Sequence, residues 1–466
     1  MPNVQSAKIR TLGDLKKSGY QHRSVKQELR DNLITRLAHG HSLFAGIVGY
    51  DETVVPQIEN AILSGQDVVF LGERGQAKTR MARLLVGLLD DEIPAMAGCE
   101  VNDDPFAPIC QACRATLEEK GDAAPIAWIP RDRRYGEKLA TPDITIADLI
   151  GEVDPIKVAE GRYLSDELTI HYGLLPRTNR GIFALNELPD LAERIQVGLL
   201  NIMEERDVQI RGYKVRLPLD IYVVASANPE DYTNRGRIIT PLKDRFGSQI
   251  RTHYPKRVAD EIAIMEAERT SFATDGYKTV TPDYMKQVIA EITHLARRSA
   301  EISQRSGVSV RVSICNYENL LSNALKRAIR LGEKEVAPRV SDLGAIVAST
   351  SGKIEMESAG EGGDDKVLPK LVQRAVLNVF NRTFSAAELE EVIGAFQNGL
   401  RVEVSDAMPA GDYLKQVAKV KGLDTLVKKL GAAEGASVAA AMAAGSVAPS
   451  FVAPVRRPRS SATCFT

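Results

Sequence analysis

Short apolar runs alternate with helical patterns from Gly46 onward, over about two hundred residues. Most of these runs are apolar without alternation, which is typical of strands that helices cover on both faces. The pattern therefore predicts strand–helix–strand units and a parallel sheet, the α/β class. The candidate strands are DVVFLG, IAWIP, GIFALNE, IYVVASAN and SQIRTHY, which begin at Asp67, Ile126, Gly181, Ile221 and Ser248.

Two segments interrupt this alternation. The stretch EVDPIKVAEGRYLSDELTIHYGLLPRTNR precedes the third candidate strand, and RDVQIRGYKVRLPLDI precedes the fourth. In the second stretch, apolar residues flank the triplet Arg211, Gly212 and Tyr213, which predicts a β-hairpin that turns at the glycine. Such excursions are either contact surfaces or ordinary surface loops.

The pattern becomes helical after Pro255. The run VSICNYENLLSNALKRAI predicts a helix, and further helical patterns run from Leu368 to Asn381 and from Ala386 to Leu400. The stretch SAGEGGDD is typical of a linker, and the Ala/Gly/Ser/Pro-biased C-terminal segment is typical of a disordered tail. The predicted buried face of the first helix comprises Ile314, Tyr317, Leu320, Leu321, Ala324, Leu325 and Ala328.

Composition narrows the function classes. The chain has 466 residues, with 60 Lys plus Arg against 61 Asp plus Glu, so its formal charge is −1. This balance argues against a protein that coats nucleic acid. No stretch reaches the ~18 apolar residues that a membrane span needs, and the N-terminus has no apolar signal region. We therefore expect a cytoplasmic protein with neither a membrane nor a nucleic acid as partner.

The strongest chemical signal follows the first candidate strand. The sequence GERGQAKT matches the phosphate-loop pattern G-x-x-x-x-[G/A]-K-T, and a helical run follows it. Lys78 would hold the β- and γ-phosphates, and Thr79 would place its hydroxyl on Mg²⁺. Ala77 stands where the pattern has glycine, which costs little if that position has helical φ and ψ. A simple glycine turn is the alternative. The candidate nucleotide-binding residues are Gly72, Glu73, Arg74, Gly75, Gln76, Ala77, Lys78, Thr79 and Arg80.

Two later strands also end in polar residues. GIFALNEL ends in Asn186 and Glu187, where phosphate-loop ATPases usually have Asp-Glu. Asn186 can accept a hydrogen bond from a metal-bound water but carries no charge, so weaker Mg²⁺ binding is expected. Glu187 keeps the role of base, unless it is only a solvated strand-end carboxylate. Asn228 follows the next strand, where its amide would orient the attacking water or touch the γ-phosphate.

Six segments in order resemble the AAA+ ATPases of the MoxR and magnesium-chelatase I-subunit group, in the helix-2-insert branch. They are GIVGYDETVVPQIENAIL, GERGQAKT, GLLPRTNRGIFALNELPDL, ASANPE, PLKDRFG and SVRVSICNYENL. The resemblance implies a phosphate-loop αβα sandwich with a five-stranded parallel sheet, an α-helical lid and a helical extension. The expected domains are a helical lead-in over 1–40, the nucleotide-binding domain over 41–260, the lid over 261–350, the extension over 351–430 and the tail over 431–466.

The resemblance also implies roles for single residues. It aligns Asn186 and Glu187 with the acidic pair, and Asn228 with the sensor-one polar residue. Arg311 matches the sensor-two arginine that reaches the γ-phosphate. The segment that lines the adenine pocket corresponds to Ile47, Val48 and Gly49.

An arginine finger that enters the neighbouring subunit's site is implied near KDRFG. Arg245 lies in this segment, with Arg235 and Arg237 just before it, and which of the three acts is open. The alternative for each arginine is that it is a charged surface residue without a role in catalysis. A finger supplied in trans requires a ring, and the resemblance implies a hexamer, with the two interrupting segments as the helical insert and the pre-sensor hairpin. It also implies a partner protein with a von Willebrand factor A domain.

Three of the five cysteines cluster, in a C-x₁₀-C-x₂-C arrangement of Cys99, Cys110 and Cys113. The C-x₂-C pair has zinc-knuckle spacing, and Asp103, Asp104 or His171 could complete a tetrahedral site. Five cysteines are too few for a disulfide framework. The cluster is therefore either a structural zinc site or a set of free thiols in a surface loop.

The function expected from these features is that of an AAA+ ATPase. It would bind and hydrolyse ATP-Mg in an oligomeric ring and remodel or activate a partner protein. Two alternatives remain. One is a sigma-54-type transcription activator ATPase, although the sequence contains no GAFTGA motif. The other is a non-hydrolysing ATP-binding scaffold, which Asn186 in the acidic pair would favour.

Overall fold

A computed structural model describes most of the chain in two compact units, Met1–His253 and Tyr254–Thr466. The described residues are 9–154, 156, 167–205, 207–209, 216–228, 236–272, 276–305, 307–357, 363–401, 408–417, 420 and 422–430. The predicted tail, the turn at Gly212 and Arg235 lie outside them. So does the first half of the predicted linker, whereas its second half begins a helix at Gly363.

A five-stranded parallel sheet organises the first unit, with the strand order β11-β1-β10-β7-β4. This arrangement confirms the predicted α/β class. The strands of this unit are β1 (Val68–Leu71), β2 (Glu92–Met96), β3 (Ile126–Pro130), β4 (Tyr135–Leu139), β5 (Gly151–Val153), β6 (Ile170–Tyr172), β7 (Gly181–Asn186), β8 (Asp207–Gln209), β9 (Arg216–Pro218), β10 (Ile221–Ala227) and β11 (Ser248–Arg251).

Helices cover both faces of this sheet. Along β1, Val69 packs in one apolar core and its neighbour Phe70 in a second, because successive side chains point to opposite faces. The first core includes the helix α8 and the second includes α2 and α3. The helices of the unit are α1 (Leu12–Lys17), α2 (Val25–Ala38), α3 (Val54–Leu63), α4 (Lys78–Leu84), α5 (Gln111–Lys120), α6 (Ile146–Leu149), α7 (Leu174–Arg177), α8 (Glu193–Glu204) and α9 (Thr240–Arg245).

One predicted strand has a different partner from the one expected. The run IAWIP forms β3, but β3 pairs antiparallel with β2 outside the central sheet. The fifth strand of the sheet is β4, with the sequence YGEKL, which pairs parallel with β7 at the edge. Its side chains are mostly half-buried or exposed, so it lacks the apolar signature of the central strands.

Both interrupting segments have antiparallel strands at their base. In the first, β5 pairs with β6, and in the second, β8 pairs with β9, which confirms the pairing of the predicted hairpin. The centre of each excursion lies outside the described residues.

The second unit is largely helical, as the sequence predicts. Its helices are α10 (Val258–Glu268), α11 (Asp283–Ala296), α12 (Arg311–Leu331), α13 (Val347–Thr350), α14 (Gly363–Thr383), α15 (Ala386–Gln397), α16 (Ala410–Val417) and α17 (Leu423–Lys429). Two short strands, β12 (Lys278–Thr279) and β13 (Glu335–Val336), pair in parallel. Within the predicted face of α12, Tyr317, Leu320, Ala324 and Ala328 are buried. Among the described residues, no helix combines the length and the apolar character that a membrane span requires.

Candidate phosphate-binding site

The phosphate loop joins the end of β1 to the start of α4. Gly75 has a φ of 76° and Ala77, directly before the helix, has a φ of 57°. Both are therefore left-handed, so the condition under which a methyl group at position 77 costs little, a helical φ and ψ, is not met. An L-residue pays for this conformation because its Cβ approaches a carbonyl oxygen. At position 72, glycine is required by lack of space and not by a positive φ, because a Cβ there would lie 1.8 Å from Thr252 Oγ1.

Lys78 is buried at the first position of α4. Its ammonium donates hydrogen bonds to two carbonyl oxygens of the loop, those of Gly72 and, at 2.9 Å, Glu73. A cation held by its own loop beside a helix N-terminus matches the charge of a phosphate chain. The residues present therefore fit a nucleotide triphosphate.

The hydroxyl of Thr79 meets the polar pair at the end of β7. Thr79 Oγ1 lies 3.3 Å from Asn186 Oδ1, and Ser226 Oγ donates to the same oxygen at 3.2 Å. The backbone N–H of Glu187 donates to Ser226 Oγ, and Glu187 itself is left-handed at a φ of 55°. The predicted loop and the predicted polar pair therefore come together, with Ser226 as a link that the sequence analysis missed.

Glu137 is a second missed residue. It lies on β4, and its carboxylate accepts a hydrogen bond of 2.8 Å from Asn186 Nδ2. Arg83 donates two hydrogen bonds to the same carboxylate, and this contact holds the pKa of Glu137 below its ordinary value. The hydrogen bond from Asn186 Nδ2 to Glu137 also orients the Asn186 amide, so that the amide oxygen faces Thr79. A negative charge is thus present beside Asn186, on the neighbouring strand.

Asn228 follows β10, which lies between β1 and β7 in the sheet. It is buried, and it comes one residue after Ala227, which pairs with Leu71 at the end of β1. The N–H of Gly72 donates to the Ala227 carbonyl at 3.1 Å. Register therefore puts Asn228 at the carboxyl edge of the sheet, beside the start of the phosphate loop.

The predicted adenine segment is connected to the loop by the residue that follows it. Ile47, Val48 and Gly49 are half-buried, and Gly49 has a φ of 83°. The Tyr50 hydroxyl lies within hydrogen-bond distance of two carbonyl oxygens, that of Gln76 at 3.0 Å and that of His253 at 2.7 Å. Burial raises the pKa of Tyr50 to about 12. Tyr50 thus ties this segment to the phosphate loop.

A cavity of about 260 Å³ adjoins the first half of the phosphate loop. Its lining includes Gly72, Glu73 and Gln76 of the loop together with Lys243 and Arg251. Gln76 Oε1 accepts hydrogen bonds from the N–H of Glu73 and from Thr252 Oγ1, which fixes this part of the loop. The cavity therefore combines loop backbone with cationic side chains, a suitable setting for an anion.

The candidate arginines differ in their environment. Arg245 is one-quarter exposed and forms an ion pair with Glu204 of its own chain. Arg237 is three-quarters exposed, with its Nε 3.7 Å from Glu193. In the second unit, Arg311 is exposed at the first position of α12.

The three clustered cysteines lie together outside this site. One ligand atom from each of Cys99, Cys110, Cys113 and Asp103 lies within 4.8 Å of all the others. Of the three residues considered as a fourth ligand, Asp103 is the one that lies in this group. Burial raises the pKa of its carboxyl to about 7.

Comparison with known proteins gives a partial match. Residues 160–245 match the sigma-54 interaction domain family. The chain is 27% identical over 97 residues to the acetoin dehydrogenase operon transcriptional activator AcoR of Bacillus subtilis (strain 168). That alignment covers 21% of this chain and only 16% of AcoR.

Two solved structures align with this chain at low identity. NtrX from Brucella abortus in complex with ATP aligns with a TM-score of 0.38 and 13% identity, over 86% of this chain and 72% of that chain. A complex between subunits BchI and BchD of magnesium chelatase aligns with a TM-score of 0.35 and 20% identity, over 69% of this chain and 98% of that chain. The parallel sheet and the phosphate loop described above form an α/β phosphate-loop core, to which a helical unit is appended in the sequence.

Proposed function

We propose that this protein binds ATP with Mg²⁺ at the phosphate loop and hydrolyses it. The contact between Thr79 Oγ1 and Asn186 Oδ1 carries this proposal, because it joins the two elements that hold the metal in phosphate-loop ATPases. Lys78 and the loop N–H groups would bind the phosphates. Thr79 and Asn186 would hold Mg²⁺, which supplies charge neutralisation on the phosphate oxygens when bound.

Glu187 and Asn228 are the proposed hydrolytic residues. Glu187 would accept the proton of the attacking water, and Asn228 would orient that water. Glu137 places a carboxylate one hydrogen bond from Asn186, although Arg83 shares its charge, and it would partly replace the missing carboxylate at position 186. This arrangement favours hydrolysis over a purely nucleotide-binding scaffold.

Activity would require a ring, by analogy with the family that the sequence resembles. A neighbouring subunit would supply Arg245, Arg237 or Arg235, and Arg311 would act from the helical unit. We propose a hexamer that uses ATP to remodel or activate a partner protein, with a von Willebrand factor A domain as the partner class. The resemblance of six ordered segments supports this branch of the proposal.

A second function has its own support. The match of residues 160–245 to the sigma-54 interaction domain and the similarity to AcoR favour a transcription activator ATPase. The sequence lacks GAFTGA, which argues for the remodelling role. Open-complex formation by sigma-54 RNA polymerase with this protein present would decide for the activator.

Phosphate release from ATP tests the proposed activity. Glu187→Gln should retain ATP binding and lose turnover, by about a hundredfold or more, because the base is removed. The exposed Glu119→Gln is the matched control and should turn over like the unmodified chain. If the unmodified, folded chain binds ATP but releases no phosphate, the scaffold alternative is correct.

Mixing of inactive variants tests the ring. Arg245→Ala subunits and Glu187→Gln subunits should each be inactive alone, and their mixture should regain activity. The reason is that some interfaces then combine an intact arginine with an intact base. No recovery in mixtures with Arg245→Ala, with Arg237→Ala or with Arg235→Ala would contradict a finger in trans.

A further inference from the structure

A set of four side chains outside the phosphate-binding site has the composition of a metal centre. Cys99 and Asp103 come from the loop after β2, and Cys110 and Cys113 come from the start of α5. Their ligand atoms lie within 4.8 Å of one another. A regular tetrahedron with such an edge has its centre at most about 2.9 Å from each corner, close to the ~2.3 Å of a zinc–sulfur bond.

Asp103 provides an independent indication of a ligand. Its side chain is fully buried, and Oδ2 accepts hydrogen bonds from the N–H groups of Ile109, at 3.1 Å, and Cys110, at 3.0 Å. Oδ1 is equally buried and has no hydrogen-bond partner among the described residues. A buried carboxylate oxygen without a donor is costly, and a cation bound to it removes that cost.

The donor set selects the type of metal. Three thiolates and one carboxylate oxygen in a compact group suit Zn²⁺, which prefers four-coordinate sites with sulfur, nitrogen and oxygen ligands. A [4Fe–4S] cluster fits less well, because each of its thiolates binds a different iron and the sulfur atoms therefore lie further apart. Calcium and magnesium prefer oxygen ligands alone.

We propose that Cys99, Cys110, Cys113 and Asp103 bind one structural Zn²⁺ ion. The ion ties the loop after β2 to the first turn of α5, where Cys110 is the N-cap residue. Among the described residues, the apolar cluster of this region is small, so a metal crosslink adds to its stability. A cavity of about 190 Å³ borders all three cysteines and provides a path by which the ion enters.

The metal content of the full-length chain, purified under reducing conditions after growth with zinc, tests this proposal. About one zinc per chain is expected in the unmodified protein, as for a single tetrahedral site. Cys113→Ser should lose the zinc to a competing chelator, and Asp103→Asn should bind it at least about tenfold more weakly. Cys315→Ser, a change at a free cysteine in α12, is the matched control and should retain it.

A second measurement avoids variants that fail to fold. Removal of zinc from the unmodified chain by a chelator should lower its unfolding temperature, and added Zn²⁺ should restore it. Cobalt substitution should give thiolate-to-Co²⁺ charge-transfer absorption. Protein without zinc, zinc content unchanged in Cys113→Ser, or iron with inorganic sulfide in place of zinc would each overturn the proposal.

Discussion

At the residue scale, Ala77 is the clearest departure of the phosphate loop from its usual composition. Its φ of 57° is a conformation in which glycine is favoured over alanine. Ala77→Gly should therefore raise the free energy of unfolding by about 1 kcal/mol, measured by urea denaturation. The control is Ala115→Gly on the exposed face of α5, which should lower the same free energy by about 0.5–1 kcal/mol. A loss of stability in Ala77→Gly would show that the methyl group has a packing role.

Asn186 and Glu137 form a second residue-scale pair whose charges can be tested. Asn186→Asp puts a carboxylate where the amide now donates to Glu137 at 2.8 Å. The lost hydrogen bond and the like charges should lower the free energy of unfolding by about 1–3 kcal/mol without Mg²⁺. Thermal unfolding with and without Mg²⁺ measures this, and Mg²⁺ should offset the loss.

The matched control exchanges the two groups. Asn186→Asp combined with Glu137→Gln restores one amide and one carboxylate, so most of the stability should return. Equal destabilisation of the single and the double variant would show that the two side chains are not coupled.

At the scale of elements, a buried ion pair fixes the N-terminal helix α2 to the chain before β4. Arg134 donates two hydrogen bonds, of 2.8 and 2.6 Å, to the carboxylate of Glu28, and both side chains are almost fully buried. Arg134→Met should lower the free energy of unfolding by about 3–5 kcal/mol, because it leaves a buried charge unpaired. Urea denaturation measures this loss.

The surface pair between Arg131 and Asp91 is the control for this prediction. Asp91 is largely exposed and Arg131 is about two-fifths exposed, so Arg131→Met should lower the free energy of unfolding by less than about 1 kcal/mol. If the two arginine variants lost equal stability, the buried pair would not anchor α2.

In the second unit, Glu261 connects three helices and confers a pH dependence. Burial alone would raise the pKa of Glu261, but its contacts with His294, Arg297 and Ser313 lower that pKa below the ordinary value of 4.5. The folded state therefore binds fewer protons than the unfolded state, and this contribution to stability is present above pH 4.5 and is lost as the pH falls below it.

Unfolding free energies at pH 6.5 and at about pH 4 check this sign, since that interval crosses the ordinary glutamate pKa. The unmodified chain should lose more stability over the interval than Glu261→Gln. Glu357→Gln, at an exposed position in the same unit, should behave like the unmodified chain. A Glu261→Gln variant with the full pH dependence would refute the assignment.

The elements also show where the sequence pattern is informative. Apolar runs identified β1, β7 and β10 because these strands are buried on both faces. The same criterion selected IAWIP, since a pattern reports burial and not the pairing partner. It missed β4 because an edge strand has half-exposed polar side chains, among them Glu137.

At the scale of the whole molecule, the order of the candidate binding and catalytic residues along the chain predicted much of the candidate site. The phosphate loop, the Asn186–Glu187 pair and Asn228 end successive central strands, and parallel strands bring their carboxyl ends to one edge. The contacts from Glu137 to Asn186 and from Asp103 to the cysteines could not be predicted in the same way. The first contact depends on which strand pairs with β7. The second depends on the conformation of a loop, which leaves no periodic pattern in the sequence.

The phosphate loop is the proposed binding site for the triphosphate of ATP. Equilibrium binding of labelled ATP with Mg²⁺ to the unmodified chain, Lys78→Ala and the exposed Lys120→Ala tests it most directly. The unmodified chain and Lys120→Ala should bind equally, and Lys78→Ala should bind at least about tenfold more weakly, a loss of about 1.4 kcal/mol or more. Equal binding by Lys78→Ala, or no binding by the folded unmodified chain, would contradict the account.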